Sequence, residues 1–165
     1  MNIFKRFVVN VLANSHWIPL GIRLNLYGVM GIKTINTEIR PGCFFNSELV
    51  KIGKGSFVNY FTQFHSGYDG SGMISLGERV YIGMNVNFCT ISHKLGGSTQ
   101  RAKENTYHPI IVGDGTWIGA NAVIMPDVKI GKGCVIAAGS IVTKDCEANA
   151  LYAGNPAIKK KELID

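Results

Sequence analysis

Of the chain's four histidines, three stand where a side chain could move a proton. His93 closes the stretch "FCTISH", where a regular pattern gives way to a polar segment. His65 lies one repeat earlier, and His108 sits at the far end of that segment. A neutral imidazole at a loop mouth can take a proton from a substrate hydroxyl, because it titrates near neutral pH. Position ranks His93 ahead of His65 and His108 as a general base, although a lone histidine is more often structural. Cys89, four residues before His93, has a nucleophile's chemistry but reads better as a packing residue. Lys159, Lys160 and Lys161 form the strongest local basic cluster, suited either to a phosphate contact or to a solvated tail.

A repeat of six must position these groups. Aliphatic residues stand at Val112, Ile118, Ile124, Ile130, Ile136 and Val142. On an α-helix a step of six advances about 600° and marks no single face. A plain strand alternates with period two, which Asp114 and Lys132 break. A short strand, a bend and another strand fit, with three hexads closing one turn of a triangular prism. Glycine follows several anchors (Gly113, Gly119, Gly131), which suits tight backbone geometry. The fifth positions, Thr116, Ala122, Val128, Cys134, Ser140 and Cys146, are small to medium and suit a crowded interior. The rhythm extends upstream through Ile39 and Phe45, then Ile52, Val58 and Phe64, then Leu76, Ile82 and Phe88. The polar stretch before Val112 reads as a loop thrown out of the coil, over about 94–110. One domain is expected: a helical or irregular segment over 1–31, a coil over 35–147 and a tail over 148–165.

Cys43, Cys134 and Cys146 fall on interior positions, so they read as buried small residues in a reducing compartment rather than a disulfide framework. The net charge of +6 comes without a basic-aromatic cluster, which argues against nucleic acid. An anionic cofactor or membrane surface accounts for it as well. In "MNIFKRFVVNVLAN", Ile3, Phe4, Phe7, Val8, Val11 and Leu12 share one helical face. Asn10, Asn14 and His16 interrupt the run, leaving it too short to span a bilayer. No convincing small-residue cleavage site argues for a signal peptide. A helix packing across the open end of the coil is expected, with peripheral membrane contact as the alternative.

The hexads, the block "GDGTWIGANAVIMPDVKIGKGCVIAAGSIVTKD" and "YAGNPA" resemble the hexapeptide-repeat acyltransferases. The resemblance covers roughly residues 35 to 161 and is nearest to the maltose and galactoside O-acetyltransferases and to related capsule and lipopolysaccharide enzymes. It implies an all-β fold, a left-handed parallel β-helix, and a homotrimer with acetyl-CoA between subunits. His93 matches the family's catalytic histidine and Asn59 an active-site asparagine, while Asp69 is the candidate acidic partner. Trp117, Gly119, Ala120 and Ala138 match residues along the pantetheine arm, and Thr143 and Lys144 those at the nucleotide end. Where the family often has a basic residue this chain has Ile158, so Lys159 and Lys161 are the substitutes.

The resemblance therefore implies a cytoplasmic O-acetyltransferase, at the inner face of the membrane if the N-terminal segment docks there. Its acceptor would be a saccharide, free, nucleotide-linked or lipid-linked, and it would need no metal. Two alternatives stand beside it. A non-catalytic scaffold of the same coil would not need His93, Trp117 and the Thr143–Lys144 pair at matching positions. A zinc enzyme like the carbonic anhydrases on this coil needs three converging histidines, and His65, His93 and His108 are spaced too widely for its pattern.

Overall fold

The computed structural model describes residues 1–164. The hexads form three sheets that the chain visits in rotation. The first face stacks Lys33–Thr34, Val50–Ile52, Ile74–Leu76, Ile110–Val112 and Lys129–Ile130. The second stacks Glu38–Ile39, Phe57–Val58, Tyr81–Ile82, Trp117–Ile118 and Val135–Ile136. The third stacks Phe44–Phe45, Gln63–His65, Asn87–Cys89, Val123–Ile124 and Ile141–Val142. Val112 pairs with Ile130, Ile118 with Ile136 and Ile124 with Val142, all in parallel, so one turn takes three hexads.

Every anchor from Ile39 to Val142 named above is buried, and so are the fifth-position residues. Burial raises the thiols of Cys43 and Cys146 to about 12, so they serve as small packing groups. Inside the third face Phe45, Phe64 and Phe88 stack with ring centroids 4.8 and 5.2 Å apart.

The glycines after the anchors have a different role from the one their type suggests. A Cβ on Gly113 would lie 2.5 Å from the Lys132 nitrogen, and one on Gly119 2.5 Å from that of Ala138. They are small because the next coil lies directly on them. The left-handed backbone falls two residues later, at Gly55, Arg79, Asn85, Gly115, Asn121, Asp127, Gly133 and Gly139. That position turns each corner.

The N-terminal segment caps the coil, but with another face inward than the apolar spacing indicates. Helix α1, Ile3–Phe7, runs into a π-helical turn, Val8–Leu12, and α2 follows over Leu20–Val29. Val8, Val9 and Ala13 are buried, whereas Ile3, Phe4, Phe7, Val11 and Leu12 are exposed. Asn10 explains the rotation. Its amide donates to the Phe45 carbonyl (2.9 Å) and accepts from the Phe45 N–H (2.8 Å), pairing with the open edge of the first complete turn. Tyr27 of α2 extends the aromatic stack at 5.0 Å from Phe45.

The excursion expected as a loop is a β-hairpin. Ile91–Leu95 pairs antiparallel with Ala102–Tyr107, with an irregularity between His93 and Leu95. It springs from the edge between the third and first faces. The tail folds as Ala150–Gly154, parallel to the coil, and Ala157–Glu162, which turns back antiparallel to it on the second face.

Candidate active site

His93 is exposed on the first strand of the hairpin, opposite Asn105. Its Nδ1 lies 2.9 Å from the carbonyl oxygen of Lys103. A carbonyl only accepts, so that contact requires the proton on Nδ1 and leaves the Nε2 lone pair free. The irregularity at His93 and Leu95 displaces the return strand enough to bring that carbonyl to the ring. Neither the bulge nor Lys103's part is signalled by residue type.

The hairpin base and the edge beneath it frame a groove of about 400 Å³ lined by Ser92, His108, Met125, Pro126, Asp127 and Thr143. His108 closes the hairpin through its N–H, which donates to the Thr90 carbonyl at 2.9 Å. Thr143 and Lys144 are exposed on this third–first edge, one coil beyond Met125 and Pro126. His65 lies two coils below Met125 on the same edge, hydrogen-bonded to Gln63 at 2.9 Å, and burial lowers its pKa. Sequence reasoning had no means of finding Met125 and Pro126, because only the coil stacking brings them beside the hairpin.

Asp69 occupies a smaller excursion on the same edge. The Gly67 N–H donates to the Gly72 carbonyl to close it, and Tyr68 meets Tyr107 edge-on at 6.2 Å. The Asp69 carboxylate accepts from the N–H and hydroxyl of Ser71, which hold it below the usual carboxylate range. Within the chain its bonds turn it to its own loop, and the partner of the His93 ring is a carbonyl.

Asn59, Gly119, Ala120 and Ala138 collect on another edge, between the second and third faces. Asn59, Gly83 and Gly119 occupy equivalent positions there, in register with one another. The Asn59 side-chain oxygen accepts from the Tyr60 N–H at 2.9 Å; among the described residues its amide nitrogen has no partner. Gly119 is buried and its N–H donates to the Ile136 carbonyl at 2.8 Å, so it is committed to coil stacking. Ala120 and Ala138 are not: among the described residues their N–H groups meet no acceptor. Trp117 stands exposed on the second face just before them.

Lys159 and Lys161 lie on the tail strand, paired with Tyr152 and Leu151 on the second face. Within one chain the tail strand therefore does not return beside Thr143 and Lys144. Lys159 is moreover engaged, 2.7 Å from Glu147 and 3.2 Å from Glu162, which hold its ammonium above the usual range. Among the described residues no three His, Cys, Asp or Glu side chains group to hold a metal ion. No described helix is long and apolar enough to cross a membrane.

A parallel prism with an extruded hairpin beside a polar edge defines a class, and comparison with known proteins agrees with it. Residues 109–144 match the bacterial transferase hexapeptide (six repeats) family. A putative acetyltransferase of Schizosaccharomyces pombe is 37% identical over 121 residues, covering 73% of this chain and 56% of that protein. Galactoside O-acetyltransferase of Escherichia coli is 32% identical over 131 residues, covering 79% of this chain and 63% of the enzyme. The chain thus spans less than two thirds of either relative. A hexapeptide-repeat acetyltransferase of Vibrio cholerae, solved with acetyl coenzyme A, superposes with a TM-score of 0.86 at 28% identity, covering 98% of this chain and 87% of that one. The chain belongs to the hexapeptide-repeat acyltransferase family, and its coil is the left-handed parallel β-helix.

Proposed function

We propose that this chain is an acetyl-CoA-dependent O-acetyltransferase that acetylates a saccharide hydroxyl, with His93 as general base. The observation that carries this reading is the Lys103 carbonyl at 2.9 Å from His93 Nδ1. It orients the ring and leaves Nε2 as the proton acceptor. The Vibrio cholerae structure with acetyl coenzyme A and the galactoside O-acetyltransferase relative support the donor and the acceptor class.

In this reading Nε2 removes the hydroxyl proton as the oxygen bonds to the thioester carbonyl carbon. The unpaired N–H groups of Ala120 and Ala138 are donors for the developing oxyanion or the pantetheine amides. When the carbon–sulfur bond breaks, the His93 proton passes to the departing thiolate. Trp117 flanks the pantetheine arm, Asn59 offers its free amide to the acceptor, and Thr143 and Lys144 take the nucleotide end. Asp69 has no direct part.

The active unit in this reading is a cytoplasmic homotrimer. His93, Thr143 and Lys144 lie on one edge of the prism, and Asn59, Ala120 and Ala138 on another. Apposing unlike edges of neighbouring subunits would build a complete groove, which one chain alone lacks. A non-catalytic scaffold is the competing reading, and binding to immobilised CoA separates the two.

The test is thiol release from acetyl-CoA against a panel of free sugars, nucleotide sugars and oligosaccharide repeats. His93→Ala should lower kcat by about 10²–10⁴-fold with little change in CoA affinity. Near wild-type turnover by that variant would remove His93 from the mechanism.

A further inference from the structure

The N-terminal cap is apolar on both sides. Its inward side, Val8, Val9 and Ala13, is buried against the coil. On its outward side Ile3, Phe4, Phe7 and Val11 are 88%, 63%, 51% and 54% exposed, and the following turn adds Trp17 at 92%. A helix that only closes a coil needs one apolar stripe and carries polar residues on the other side. Here the solvent side holds two phenylalanines and two branched aliphatic residues within nine positions, and the tryptophan follows them. An exposed patch of this composition marks a surface that is covered in use.

Charge indicates what covers it. Residues 1–37 contain Lys5, Arg6, Arg23 and Lys33, and all eleven acidic residues of the chain come at Glu38 or later. Arg23 is buried in the cap, and Lys5 lies 3.4 Å from Glu48. Among the described residues, no carboxylate pairs with Arg6 or Lys33. The segment is thus a short helix with phenylalanines outward and cations beside them, followed by an exposed tryptophan. That pattern suits the boundary between lipid headgroups and acyl chains, where anionic lipid attracts the cations and aromatic rings insert. A second copy of this chain would bring the same positive charge to the same patch, which disfavours self-association through it.

We propose that Ile3, Phe4, Phe7, Val11 and Trp17 seat the cap on an anionic phospholipid surface, with Arg6 and Lys33 as the electrostatic contacts. Such docking holds the enzyme at the membrane without a spanning segment. It is independent of the acetyl-transfer reading, since its readout is partition and not turnover.

The test is co-sedimentation of the full chain with phosphatidylcholine vesicles, with and without phosphatidylglycerol. The expected result is binding that requires phosphatidylglycerol and weakens several-fold as salt rises through the Debye range. Phe4→Ser with Phe7→Ser should lower vesicle affinity by roughly tenfold or more, and Arg6→Gln with Lys33→Gln by a smaller factor. Because these residues face solvent, the variants should keep the wild-type circular dichroism, mass by light scattering and rate of thiol release. Equal sedimentation with both vesicle types, or affinity unchanged by the phenylalanine substitutions, would overturn the proposal. So would a lower assembly mass for the phenylalanine variant, which would assign the stripe to contact between copies.

Discussion

In the proposed mechanism His93 serves as a base because of what holds its other nitrogen, a backbone carbonyl of the returning hairpin strand. A side-chain substitution at Lys103 leaves that carbonyl in place, so Lys103→Ala should keep kcat near wild type where His93→Ala lowers it. At the proposed phosphate end the partners of each lysine decide in the same way. Lys144 is exposed and free of carboxylates among the described residues, while Lys159 already sits between Glu147 and Glu162. Lys144→Ala should therefore raise KM for acetyl-CoA at moderate ionic strength and leave kcat largely intact, with the effect fading as salt rises. Lys159→Ala should change KM less, and steady-state kinetics with acetyl-CoA and acetyl-dephospho-CoA as donors distinguish the two. His65 is a case of stability. Burial lowers its pKa, so the folded state binds fewer protons than the unfolded chain. The stability this contributes is complete above the unfolded value of about 6.5 and is lost as pH falls toward the folded one. In denaturant titrations across that range, His65→Gln should flatten the decline. Of these features the place of His93 at the mouth of the excursion and of Lys144 at the end of the coil was legible in the sequence. The Lys103 carbonyl and the glutamates around Lys159 were not, because a bulge and a strand register have no residue-type signature.

Among the elements, the coil was the most legible. Each anchor recurs at six and each fifth position is small, since both must enter one crowded interior. The corner position recurs within the same hexads as Gly115, Asn121, Asp127, Gly133 and Gly139, residue types that tolerate a left-handed backbone. Arg79, at the same corner with φ of 52°, hides the pattern. The cap was the least legible element, because apolar residues on both sides of a helix leave the inward side undetermined. Asn10 selects that side, and Arg23 holds the cap there, buried and without a carboxylate among its hydrogen-bond partners. Its Nε donates to the Ala13 carbonyl at 2.7 Å, and its terminal nitrogens to those of Ile39, Ser15 and Ile18 at 3.0, 3.0 and 2.8 Å. One guanidinium thus ties the π-helical turn, the linking turn and the first coil together. Each such bond from a charged donor contributes on the order of 1.5–3 kcal/mol, and the freed carbonyls stay buried if the donor is removed. Arg23→Met removes the charge but leaves these carbonyls unsatisfied, at roughly 1–3 kcal/mol for each that stays buried, so it should destabilise the fold by several kcal/mol. Lysine cannot reach four carbonyls from one ammonium, so Arg23→Lys should recover only part of the loss. Chemical denaturation measures both, and a cost below about 1 kcal/mol for the methionine variant would mean the cap is held by Tyr27 and Val9 alone.

At the scale of the whole molecule, the prism separates residues that the proposed chemistry needs together. The hairpin with His93 leaves the third–first edge, and Asn59 lies on the second–third edge with the Ala120 and Ala138 N–H groups. A rigid coil cannot fold one edge onto another, so a shared site requires a neighbour. In a cyclic trimer each site would combine one edge from a subunit and the other edge from the next. This has a consequence that a mass measurement alone does not test. His93→Ala damages one edge of every subunit and Asn59→Ala the other, so each variant should be inactive alone. If the two are unfolded, mixed in equal amounts and refolded, a site works only where an intact His93 edge meets an intact Asn59 edge. With random assembly that juxtaposition occurs at about a quarter of the sites, so the mixture should recover about a quarter of the wild-type rate. Light scattering should meanwhile give a mass near three times the 18.0 kDa chain. A trimer whose mixed refolding restores nothing would place each complete site within one subunit. The open edge beside Ala120 and Ala138 would then need another occupant.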